Sequence, residues 1–65
     1  MAASLAEQIP RELLRPERKA AVIEWIRATS LPSRFKRRLL QDWGVAVGVE
    51  LAGADYEAVT EKEGQ

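Results

Sequence analysis

The sequence predicts an all-α fold, a small bundle of three to four short helices over residues 10–14, 16–29, 33–47 and 53–61, and three observations carry that expectation. Residues 16–29 and 33–47 each separate apolar from charged side chains at helical period. One stretch, residues 45–51, alternates at strand period, but an isolated strand finds no partner in the chain to satisfy its backbone. Finally, 65 residues without cysteine or histidine leave no disulfide or common soft metal site to supplement a small core. Regular helix packing or self-association has to supply the stability instead.

At the N-terminus, Ser4 and Glu7 have capping-box spacing ahead of Ile9, yet Pro10 interrupts any helix there. A proline inside a helix removes a hydrogen bond and clashes with the carbonyl four residues back, costing about 3 kcal/mol. Residues 1–8 are therefore expected to be flexible and residues 9–60 to form a single helical domain. Pro10 opens a short turn that Ile9, Leu13 and Leu14 anchor to the core. Pro16 suits the first position of the next helix. In that helix Ala21, Val22, Trp25, Ile26 and Thr29 share an apolar face, with Glu24 and Arg27 opposite. Pro32 then biases Leu31 away from helical dihedrals, and the short connection makes the two helices neighbours.

The stretch from Ser33 to Val47 has a face to bury and a face to use. Phe35, Leu39, Leu40, Trp43 and Val47 cover one side; Arg34, Arg37, Arg38 and Gln41 cover the other. Lys36 lies nearer the apolar side, where its stem would rest on the core and its amine reach water. Trp25 and Ile26 are expected to meet Leu39 and Trp43 in one shared core.

Residues 45–51 have two readings. As a strand they would pair with a second copy in a dimer. As helix they run on to Val47, stop at Gly48 as a left-handed cap and let Val49 pack back on the core; this second reading is preferred. The Gly44 to Gly48 spacing fits a helix end better than a close helix contact. A final helix places Tyr56 and Val59 inward, and residues 61–65 read as a disordered acidic tail. The second half thereby acquires a helix-turn-helix-like outline.

Net charge is zero, but residues 1–43 carry nine Lys/Arg against five acids, while residues 44–65 carry one lysine against five acids. The halves are thus +4 and −4, an asymmetry that suggests an anionic partner for the basic half. With no histidine, no thiol and no phosphate-loop pattern, an enzyme is not expected, nor are a cofactor, a metal or a small-molecule substrate. Neither a signal peptide nor a membrane-spanning run is read from the chain, so a cytoplasmic location is expected.

The expected nucleic-acid-binding residues are Arg34, Lys36, Arg37 and Arg38, because clustered Arg and Lys release counterions from phosphate backbones and arginine fits phosphate and guanine bidentately. Trp25, Ile26, Phe35, Leu39, Trp43 and Tyr56 are the expected core or interaction residues. If the second half did act as a helix-turn-helix, its last helix would offer Asp55 and Glu57 to DNA, so the basic helix is the better contacting element. Two functions follow: a small DNA- or RNA-associated regulator, or a protein-interaction module (adaptor, inhibitor or assembly factor) that binds a protein partner or forms a homodimer through its complementary halves.

Overall fold

Prolines and glycines set where the chain starts and stops its helices in the computed structural model, which describes residues 5–60. Short 3-10 turns at Leu5–Gln8, Arg11–Leu13 and Pro16–Arg18 lead into α1 (Lys19–Arg27), α2 (Ser33–Val47) and α3 (Gly53–Thr60). The fold is all-helical, and the described residues contain no strand. Ser4 and the tail 61–65 lie outside the described residues, as do the capping box and the disordered tail read there.

Pro10, extended at φ −55° and ψ 141°, separates the first two turns. Within the stretch read as flexible, residues 5–8 form a 3-10 turn: Ile9 N–H closes on the Ala6 carbonyl at 3.0 Å, Ala6 and Ile9 are buried, and the turn packs on α2. The helix expected over 16–29 is also shorter. Pro16 opens a 3-10 turn, Arg18 leaves helical dihedrals at φ −99° and ψ 23°, and the α-helix proper begins at Lys19.

Helix α1 ends at Arg27, and its last carbonyls all find donors, as burial requires. Ala28 N–H reaches the Glu24 and Trp25 carbonyls, while Thr29 donates both its N–H and its hydroxyl to Ile26. The Arg27 carbonyl accepts from the Lys36 ammonium of α2 at 3.2 Å.

That last bond rotates α2 relative to the sequence reading. Its buried face is Lys36, Leu39, Leu40, Trp43 and Gly44, and Lys36 is only 1% exposed. Phe35, expected in the core, is instead 43% exposed, because a helix that turns residue 36 fully inward carries residue 35 about 100° off the buried stripe. The lysine stem fills the apolar space and its ammonium sits at the negative end of α1. The core gathers Ile9, Leu13, Val22, Ile26, Leu39, Leu40, Trp43 and Val59, with all three α-helices in mutual contact. Ile26, Leu39 and Trp43 meet there as expected, while Trp25 and Tyr56 are half-buried at its edge. Trp43 is fully buried, and its Nε1–H donates to the Leu13 carbonyl at 2.6 Å, tying α2 to the second turn.

Val45–Val47 continue α2, so the strand reading of 45–51 does not hold within this chain. Gly48 takes φ 74°, and Val49 N–H returns to the Gly44 carbonyl at 2.9 Å, a Schellman-type stop. Gly44 is required for a separate reason. A Cβ there would lie 2.8 Å from Leu51 Cδ1 and 3.0 Å from the Val49 carbonyl oxygen, so the returning chain rests directly on the helix backbone.

Gly48→Ala meets no neighbour within 4 Å and should cost only the left-handed strain, about 1 kcal/mol. Gly44→Ala must push the Leu51 methyl aside and crowd the Val49 carbonyl, and should cost about 1–3 kcal/mol. Urea midpoints of the two variants check the ordering, and a Gly44→Ala protein as stable as wild type would contradict the close approach. Trp43→Phe leaves the Leu13 carbonyl unpaired and should lose about 1–3 kcal/mol in the same measurement.

Candidate nucleic-acid interface

Arg34, Arg37, Arg38 and Gln41 recur at i, i+3, i+4 and i+7, so α2 carries them on one side, turned away from its buried stripe. All four are exposed. They do not stand on an open convex helix. The N-terminal half of α3 supplies a facing wall through Gly53, Tyr56 and Glu57, and the two walls enclose a shallow, open groove of about 620 Å³. Gln41 was legible beside the arginines; the second wall was not, although Gly53, Tyr56 and Glu57 share a face of α3 by the same i, i+3, i+4 spacing. Tyr56 packs against the core on one side and lines the groove on the other.

The groove is basic. Arg38 Nε lies 3.5 Å from Asp42 Oδ1 one helical turn on; the guanidinium is exposed and the carboxylate half-buried. The Arg34 guanidinium sits 5.3 Å from the Phe35 ring centroid, within cation–π range. Among the described residues neither Arg34 nor Arg37 forms an ion pair, and Glu57 is the carboxylate that lines the groove. Lys36 does not belong to this surface. Its ammonium is buried against the Arg27 carbonyl, so neither the amine reaching water nor a contact with an external phosphate is available to it. Arg11, Arg15 and Arg18 are exposed, but they do not line the groove.

The acidic half of the chain spends its best-placed carboxylate elsewhere. Asp55 Oδ2 accepts from the Ala52 N–H at 3.0 Å, reaching back to the residue that precedes α3, and Oδ1 lies 3.2 Å from Lys19 Nζ on α1. One side chain thus starts α3 and fastens it to α1. The Ala52 N–H is the chief reason its carboxyl sits below the ordinary aspartate value; burial opposes that, and the Lys19 ammonium adds to it. Asp55 is thereby committed to Ala52 and Lys19 and does not line the groove with the arginines.

Among the described residues no three His, Cys, Asp or Glu side chains come together to hold a metal ion, and no helix is long and apolar enough to cross a membrane. No protein-family model matches the sequence, and no curated protein or solved structure matches it either.

Because the folded-state pKa of Asp55 is depressed, its contribution is complete above the ordinary aspartate value of about 3.9 and is lost as the pH falls through the lower, folded value. Asp55→Asn should therefore melt below wild type at neutral pH, and the gap should narrow as the pH falls below the ordinary aspartate value. Circular-dichroism melts of the two proteins across that range check it. A gap that is constant with pH would mean that the carboxylate charge is not what holds α3.

Proposed function

We propose that this chain is a small, non-enzymatic, nucleic-acid-associated module whose contact surface is the arginine side of α2. The observation that carries the reading is that Arg34 and Arg37 line the groove with no ion pair among the described residues, next to the exposed guanidinium of Arg38. Unneutralised guanidinium groups gathered on one side of a helix are what a phosphate backbone rewards, through counterion release and bidentate hydrogen bonds.

The helix-turn-helix outline enters this reading only in part. In that motif the second helix reads bases. Here α3 presents Glu57, and its Asp55 is committed to Ala52 and Lys19. Helix α2 is the contacting element, and α3 is the wall beside it. Absence of enzymatic activity is part of the same proposal, because the groove offers guanidinium groups, one amide, one phenol and one exposed carboxylate but no base–nucleophile pair.

A second reading is favoured by Phe35 and Val45, large apolar side chains left exposed on α2, Val45 at 77%. They would suit a protein partner or a second copy of the chain.

Binding of labelled DNA or RNA measured against salt concentration separates the two. Under the first reading log K falls linearly with log salt, and Arg37→Ala flattens the slope by about 0.7–0.9 unit. Lys36→Met leaves the slope unchanged. No binding at low salt removes the reading. Self-association abolished by Phe35→Ser/Val45→Ser, without nucleic-acid binding, supports the second.

A further inference from the structure

We infer that the groove between α2 and α3 takes a single strand of nucleic acid rather than a duplex, an inference that rests on the nucleic-acid reading above and narrows it. The two walls differ in kind. The α2 wall is arginine; the α3 wall is Gly53, Tyr56 and Glu57. A duplex brings two phosphate backbones. An α-helix with its side chains is about 10–12 Å across and by itself fills a major groove about 12 Å wide. Helix α2 does not stand clear enough for that, since α3 lies along its arginine side. Seating those arginines on one backbone would drive the exposed Glu57 carboxylate toward the other. A single strand presents one backbone, which the arginine wall neutralises, and its unstacked bases face the opposite wall.

That opposite wall is suited to a base. Tyr56 is half-buried, packed against the core, and also lines the groove. Gly53, one turn before it, leaves the approach open: a Cβ at that position would meet nothing within 4 Å. An aromatic ring opposite a row of guanidinium groups is the arrangement by which single-strand binders stack bases while holding phosphates, and it tolerates sequence because every base has a π face. Gln41 and Glu57 line the same groove and can accept from the exocyclic amino groups of bases.

The test is fluorescence anisotropy at low salt with the full chain and three labelled probes: a mixed-sequence DNA single strand, a hairpin duplex with the same number of phosphates, and a polyglutamate peptide. The single strand should bind about tenfold more tightly than the duplex. Tyr56→Leu, which keeps an apolar side chain on the core, should weaken single-strand binding about five- to tenfold and leave duplex binding unchanged, whereas Tyr56→Phe retains the wild-type preference. Glu57→Gln should narrow the gap by improving duplex binding. Circular dichroism of each variant confirms that the helices persist. Duplex binding equal to or tighter than single-strand binding, or a preference that Tyr56→Leu does not move, overturns the single-strand assignment and leaves the nucleic-acid reading standing. No binding to either nucleic acid, or polyglutamate bound as tightly as the strand, overturns both.

Discussion

The carbonyl that ends α1 has to be satisfied inside the protein, and a cation from the next helix satisfies it. Lys36 reaches the Arg27 oxygen with its ammonium while its stem lies among the core side chains. An ammonium taken out of water is tolerated only with close acceptors, and a helix C-terminus adds a favourable dipole to the hydrogen bond. Fixing residue 36 inward also fixes the rotation of α2. Arg34, Arg37, Arg38 and Gln41 then lie about 100–160° round the axis from Lys36, which is what turns them out of the core and toward solvent. The basic surface is in that sense a product of a buried lysine that takes no part in it.

The remaining ties are few, and each does two things. Trp43 fills the centre of the core and holds the Arg11–Leu13 turn through the Leu13 carbonyl. Asp55 begins α3 and fastens it to α1. In a chain this short the apolar area buried is small, and directed bonds between elements carry a correspondingly larger share of what makes the arrangement unique. They also sort the charges. Because Asp55 faces Lys19, Glu57 is the one acid among the described residues that lines the groove opposite three arginines, and the groove stays basic.

Much of this was legible in the sequence, for reasons that differ by residue. The limits of α2 could be read because Pro32 and Gly48 act locally, one by forbidding helical dihedrals before it and the other by accepting a left-handed conformation. The arginine side could be read because helical spacing alone places it. The start of α1 could not, since a 3-10 turn and an α turn differ by one residue in hydrogen-bond register and Pro16 suits both. The exchange of Phe35 for Lys36 was hidden more deeply. Hydropathy ranks phenylalanine inside and lysine outside, and only the position of α1 reveals a carbonyl in need of a donor. The facing wall of the groove was hidden likewise, because it depends on how α3 returns against α2.

The segment from Gly48 to Ala52 has no regular structure, yet Val49, Leu51 and Ala52 each tie it down. Val49 hangs from the Gly44 carbonyl, Leu51 lies against the bare Gly44 backbone, and Ala52 is gripped by Asp55. It works as a strap of fixed length. The width of the groove is set by five residues that do not touch its floor, and adding or removing one of them would uncouple its two walls while leaving every arginine in place.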